Sequence, residues 1–155
     1  REWAVYEGCG PGGVGIIIET ATDNKNRTHP EVRTALTKNG GTMADSGSVM
    51  FQFARKGVIR VAASGEEALL TVLDAGAEDA AEEDGGLIVY TDKKELAKVR
   101  EALLSAGMTV EDAELQYVPN NTVAIEDDET ARKLTKIIDA LEVLDDVTNV
   151  ATNAA

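Results

Sequence analysis

Cysteine and histidine are almost absent from this sequence, with one of each, Cys9 and His29, in 155 residues. A lone cysteine excludes an internal disulfide framework, and the pair argues against a structural zinc site. A reducing compartment fits this usage. Long apolar runs are missing too. The longest, Val14 to Ile18, is broken by Gly15 and is strand-sized, far short of the roughly 20 residues of a membrane helix. Positive charge is scarce, with 15 Lys and Arg against 28 Asp and Glu and a net charge of −13. Taken alone, that argues against nucleic acid and anionic membranes. The chain opens on Arg1, without an initiator Met, and its start shows no signal-peptide pattern of basic, apolar and small-residue regions. It therefore reads as the ordered part of a longer chain.

Apolar residues make up 43% of the chain, enough for a core, and the length suits one ordinary domain or two small ones. The charge is uneven along the sequence. Residues 1–60 hold eight basic against six acidic side chains, a balance of +2. Residues 61–155 hold seven against twenty-two, a balance of −15. Such asymmetry points to a partner that the bulk value hides.

Periodicity predicts strands at Trp3 to Tyr6 and Val14 to Ala21, joined by the cluster Gly8-Cys9-Gly10-Pro11-Gly12-Gly13. A helix is expected from Thr28, with Thr28 and Glu31 as a capping box, and Asn39-Gly40-Gly41 stops it. Ser48 to Phe53 alternates and reads as a strand. A new unit follows, with a strand at Val58 to Ala62 and a helix capped at Ser64. A weak edge strand is expected within Ala77 to Gly86, then a strand at Leu87 to Tyr90. A helix capped by Asp92 and Glu95 and a last strand within Met108 to Val118 complete the unit. After Pro119-Asn120-Asn121 come a strand at Thr122 to Ile125, a long helix capped at Asp127 or Asp128, and a strand at Val147 to Ala151. The middle unit has the ferredoxin-like element order. We expect an α+β fold of two small ferredoxin-like-type sandwich domains. Residues 1–55 with 119–155 form one, and 56–118, inserted into it, form the other.

Gly8, Gly10 and Gly13 match G-x-G-x-x-G. That dinucleotide fingerprint must open a helix, and this loop opens a strand. A hairpin connection using Gly8, Gly10, Gly12 and Gly13 explains it better, with an anion-binding nest as the lesser alternative. Cys9 and His29 could form a nucleophile and base, but a solvent or first-turn position for His29 fits better. The acidic groups Glu82-Glu83-Asp84 and Glu126-Asp127-Asp128-Glu129 lack calcium-loop spacing. No metal, cofactor or catalytic residue is expected. The cluster Lys25, Arg27, Arg33, Lys38, Arg55 and Lys56 lies in the one stretch that is not acidic. Asn24, Asn26, Thr28, Asn39, Thr42, Ser46 and Ser48 add donors suited to phosphate and sugar oxygens. An ordinary solvated face would explain the same residues.

The stretch Tyr6 to Val14, continuing through Glu19 to Thr28, resembles the YebC family. So do Val32-Arg33, Lys38-Asn39-Gly40-Gly41, Gly47-Ser48-Val49 and Phe53-Ala54-Arg55-Lys56-Gly57. Val89-Tyr90-Thr91-Asp92 and Asp145 to Val150 look like its later landmarks, and Cys9 stands where the family usually has Tyr. The resemblance covers the whole chain. It implies a basic N-terminal helical domain, absent here, followed by two α+β domains, one inserted in the other. It also implies a non-enzymatic regulator of gene expression that binds DNA, or that acts with the ribosome and its RNA as a translational activator. The six cations above would be its nucleic-acid contacts. The resemblance implies no membrane partner and no small-molecule substrate. The implied location is cytoplasmic in a bacterium and mitochondrial in a eukaryote. A protein-interaction module with a basic partner and a small-molecule-sensing module are the alternatives.

Overall fold

The computed structural model describes residues 1–155. The chain divides into two compact units, Arg1–Ala54 with Tyr117–Ala155, and Arg55–Gln116. Each carries one four-stranded sheet.

In the first unit, β1 (Glu2–Cys9) and β2 (Gly15–Thr22) form an antiparallel hairpin in register from Glu2↔Thr22 to Cys9↔Gly15. Helix α1 (Lys25–Thr37) leads to the short strand β3 (Thr42–Ala44), which pairs with β1. After the second unit the chain returns through α4 (Asp128–Glu142) to β8 (Val147–Thr152), giving the order β3-β1-β2-β8. The central strand β2 is buried on both faces, as its β-branched run Ile16-Ile17-Ile18 requires. Ile16 and Ile18 meet Val32, Ala35 and Leu36 of α1 and Leu134, Ile137 and Leu141 of α4. Those spacings place each helix's apolar stripe on the sheet. Ile17 points the other way, against Val49 and Phe53. Each fully buried Ile or Leu contributes about 1.5–3 kcal/mol.

The second unit comprises β4 (Phe53–Val61, whose first two residues belong to the first unit), α2 (Glu66–Asp74), β5 (Asp79–Glu83), β6 (Gly86–Asp92), α3 (Leu96–Ser105) and β7 (Val110–Pro119, whose residues from Tyr117 on belong to the first unit). The order β5-β6-β4-β7 with two helices is the ferredoxin-like arrangement. Ile59, Val61, Leu87 and Val89 from the sheet pack with Ala68, Val72, Val99 and Leu103 from the helices. β5 and β6 turn at Asp84 (φ 50) and Gly85 (φ 78). Two successive positive φ values suit a right-twisted two-residue hairpin and favour an Asp-Gly pair.

Several expected elements differ. α1 begins at Lys25, capped by Asn24, whose side chain accepts from Asn26 N–H. Thr28 is not a cap, because it is buried and its hydroxyl donates to Asp146 at 2.7 Å. Ser64 does not cap α2. Gly65 occupies the cap position, and its N–H donates to the Glu82 carboxylate at 2.9 Å. Asp92 accepts from Lys94 N–H and caps a 3-10 turn, Lys93–Glu95, that precedes α3. The expected strand from Ser48 to Phe53 is instead a turn and a 3-10 segment, Met50–Gln52, and only Phe53 is extended, opening β4. The buried Glu7 carboxylate explains this, since it takes the N–H groups of Gly47 (2.6 Å), Val49 (2.9 Å) and Met50 (2.7 Å) that a strand would offer a neighbour. Thr122 to Ile125 is likewise not a strand, and only Val123 bridges to Ala154.

Candidate nucleic-acid interface

The six cations read from the sequence divide between the units. Lys25, Arg27, Arg33 and Lys38 lie on α1, whereas Arg55 and Lys56 lie on β4 in the second unit. Three are tied to carboxylates. Lys25 Nζ is 3.0 Å from Glu2, and Lys56 Nζ is 3.0 Å from Glu78. Arg27 donates to Asp146 at 2.9 Å and to Asp23 at 3.2 Å. Arg33 and Lys38 are exposed and make no ion pair.

Arg27 is held by more than one partner because Asp146 is a structural hub. Its Oδ2 accepts hydroxyls from Thr22 (3.1 Å) and Thr28 (2.7 Å), while Arg1 approaches Oδ1 at 3.5 Å. Ala21 N–H also donates to the Asp146 carbonyl at 2.9 Å. A register shift accompanies the approach: Glu19 faces Asn149 but Thr20 faces Val147, so Thr148 is the extra residue, on β8. The end of β2, the start of α1 and the start of β8 are thereby fastened at one carboxylate. The Arg27 hydrogen bond, reinforced by Thr28 and Thr22, lowers the Asp146 carboxyl to about 2, against an opposing push from burial. The same hydrogen bond raises the Arg27 guanidinium.

A pH dependence follows. The folded state favours the ionised Asp146, so the stabilisation is complete above about pH 4 and is lost as pH falls towards 2. Asp146→Asn is expected to flatten that acid limb of a urea-midpoint profile while lowering the neutral plateau. A variant profile as steep as wild type between pH 4 and 2 would assign the limb to other carboxylates.

The glycine cluster is explained by packing. Pro11–Gly13 form one 3-10 turn between β1 and β2, with Gly10 N–H bonded to Val14 O at 2.8 Å. A Cβ on Gly8 would sit 3.1 Å from Leu36, and one on Gly12 would sit 3.1 Å from Thr130 and 3.2 Å from Ile125. Gly12 (φ 77) and Gly13 (φ 79) also hold left-handed conformations open chiefly to glycine. Cys9 and His29 are both exposed, and His29 packs edge-on to Tyr6 with ring centroids 5.7 Å apart.

Two cations escaped the sequence reading. Arg132 and Lys136, one turn apart on α4, are exposed and make no ion pair. Their i, i+4 spacing opposite the Leu134-Ile137-Leu141 stripe was a readable signal. α1 and α4 pack side by side on one face of the first sheet. That helical layer therefore displays Arg33, Lys38, Arg132 and Lys136 among the acids Glu31, Asp139 and Glu142. Folding also removes the charge asymmetry seen along the chain. The returning segment carries eight Asp and Glu into the first unit, which holds eight basic and fourteen acidic residues, while the second holds seven and fourteen. The balances are −6 and −7, so a cationic surface here is a local feature of helix faces and not of a whole unit.

Two antiparallel α+β units, one inserted in the other, with unpaired cations on a two-helix layer of the first, define a class of two-unit α+β protein. The chain belongs to a family within it, because the model for the TACO1/YebC second and third domain matches residues 2–154. Curated relatives named "Probable transcriptional regulatory protein" include those of Thermobifida fusca, 47% identical over 99% of this chain, and Deinococcus radiodurans, 48% identical over 96%. The chain spans 62% and 61% of their lengths. The crystal structure of a conserved hypothetical protein, Aq1575, from Aquifex aeolicus is 43% identical, with a TM-score of 0.96 over 99% of this chain and 65% of that one.

Proposed function

We propose that this chain is part of a non-enzymatic regulator of gene expression that contacts the phosphate backbone of nucleic acid through the helical layer of its first unit. The observation that carries the reading is the unpaired state of Arg33 and Lys38 on the exposed side of α1. Thr34 and Asn39 sit beside Lys38 around a shallow groove, and Arg132 and Lys136 stand on the neighbouring helix. Unpaired cations keep their charge for phosphate, whereas Lys25, Arg27 and Lys56 would first have to leave carboxylates. The names of the relatives support regulation. No two of the four helices are joined by a short turn, since at least one strand separates each from the next. That favours backbone and single-strand contact over helix-turn-helix reading of a major groove, and so RNA, including that of the ribosome, over promoter DNA.

Charge reversal tests the surface. Arg33→Glu with Lys38→Glu is expected to weaken RNA binding about tenfold or more at moderate salt. Each lost phosphate contact should lower the slope of log affinity against log salt by about 0.7–0.9. Fluorescence anisotropy at several salt concentrations, with circular dichroism as a folding check, reads both. Unchanged affinity and slope would remove α1 from the interface.

A second reading concerns the Arg55–Gln116 unit, whose helices expose Leu70, Leu73 and Leu104 on a body with a balance of −7. Apolar side chains within an acidic surface suit a basic protein partner. Site-specific cross-linking from position 70 to a protein, and not to RNA, would favour this contact.

A further inference from the structure

Phe51 is 72% exposed at the tip of a segment whose backbone is fastened from both sides. On one side are the three N–H groups held by Glu7. On the other, Asn120 N–H donates to Gln52 O at 2.9 Å, and Asn120 Nδ2 to Phe51 O at 3.4 Å. Phe51, Gln52, Asn120 and Asn121 line a cavity of about 240 Å³. No carboxylate lines it, in a chain with 28 Asp and Glu.

The amides are not equivalent. Asn153 is 1% exposed; its Oδ1 accepts from Gly15 N–H at 2.8 Å, and its Nδ2 donates to Gln52 Oε1 at 2.9 Å. That relay fixes which end of the Gln52 amide is engaged and leaves Gln52 Nε2 with two unspent donors. Asn121 is exposed, and its amide makes no internal hydrogen bond. One aromatic face, immobilised at the backbone, thus stands beside two amides with unspent donors, that of Gln52 oriented by Asn153.

We propose that this cavity receives a single unpaired nucleobase, stacked on Phe51 and read at its edge by Gln52 Nε2 and the Asn121 amide. The inference deepens the nucleic-acid reading above and rests on it. A planar ring with hydrogen-bonding acceptors on its rim matches one apolar face flanked by donors. An aliphatic ligand would leave the amides unpaired, and a phosphate would find no cation in the lining. A base inside a duplex presents no free face, so the site selects single strands, loops or bulges. The contact is insensitive to salt, unlike the backbone contacts of α1.

The test uses the 155-residue chain with a fluorescein-labelled mixed-sequence 12-nucleotide RNA, its DNA counterpart, the same RNA in duplex form, and an abasic version. Phe51→Ala is expected to weaken binding of the single strands roughly tenfold, with the salt slope unchanged. Phe51→Trp should restore it, and Asn121→Ala should lower it less. The loss should vanish with abasic and duplex probes, and the RNA and DNA arms report whether the sugar matters. Equal single-strand affinity for wild type and Phe51→Ala would overturn the base subsite while leaving the cationic surface intact. An equal loss on the abasic probe would overturn it as well. A wild-type chain that binds none of the probes would overturn both readings, and sensitivity to Arg33→Glu with Lys38→Glu alone would keep only the first.

Discussion

Glu7→Ala is expected to cost about 3 kcal/mol and to release the segment from Gly47 to Gln52. The carboxylate is 5% exposed and accepts three backbone N–H groups, two through Oε1 and one through Oε2. Hydrogen bonds to a charged acceptor are worth about 1.5–3 kcal/mol each in mutational series, and the three are not additive. Gly47 is exposed and can turn to water, whereas Val49 is buried and its N–H cannot. Val49 and Phe53 also cover Ile17 on the far face of the first sheet, so the loss extends into packing. Glu7→Gln keeps an acceptor for Val49 and Met50 but turns an N–H towards Gly47, and should recover part of the stability. Urea unfolding measures the change, and limited proteolysis between residues 45 and 52 reports the release. A Glu7→Ala penalty below about 1 kcal/mol would show that water replaces the carboxylate and that the turn holds itself.

Glu7 also shows why the sequence was legible in some places and opaque in others. The four helices, with the stripes Val32-Ala35-Leu36 and Leu134-Ile137-Leu141, follow local patterns of period 3.6. They survive folding because each helix buries the face its own sequence prepares. Buried polar anchors have no such signature. Glu7 sits in a strand beside a glycine, Asp146 is the second residue of an acidic pair, and Thr28 imitates a cap. Glu7 reaches Gly47 across 40 residues, and Thr28 and Asp146 find each other across 118. Such contacts override local propensity, turning Ser48 to Gln52 from an expected strand into a turn and removing Thr28 from capping duty. The candidate site divides in the same way. That cations cluster on α1 is visible in the sequence; that Arg27 is committed to Asp146 and Lys25 to Glu2 is a tertiary fact. Arg132 and Lys136 were readable by their spacing on α4 but were passed over, because the count along the chain set them in its acidic part. Charge counted along the sequence mixes two bodies, and charge counted by unit does not.

Ile137→Ala tests how the returning segment closes the first unit, and its expected cost is about 3–4 kcal/mol. Ile137 is fully buried among Val14, Ile16, Ile18, Leu36 and Leu141. Large-to-small changes at such sites cost about 2–5 kcal/mol, the higher values arising where the surroundings cannot collapse. Collapse is hindered here on the side of the β3 approach. A Cβ on Gly41 would lie 3.2 Å from Ile137 Cδ1 and 3.1 Å from Cys9 O, so backbone, not adaptable side chain, lines that wall. The sheet supplies another wall through Ile16 and Ile18, whose strand is hydrogen-bonded on both edges. Ile137→Val should cost about 1 kcal/mol, separating the cavity effect from any disturbance of α4. Native-state hydrogen exchange resolves the consequence by unit. Amides of β1, β2 and α1 should lose protection by the full amount although they precede the substitution by some hundred residues, because α4 completes their core. The core of the second unit contains none of these residues, so protection in β4 from Gly57 onward, β6 and α3 should hold. Loss confined to α4 and β8 would mean that the hairpin and α1 form a stable body without the returning segment, and the division of the chain into two cooperative units would then be wrong.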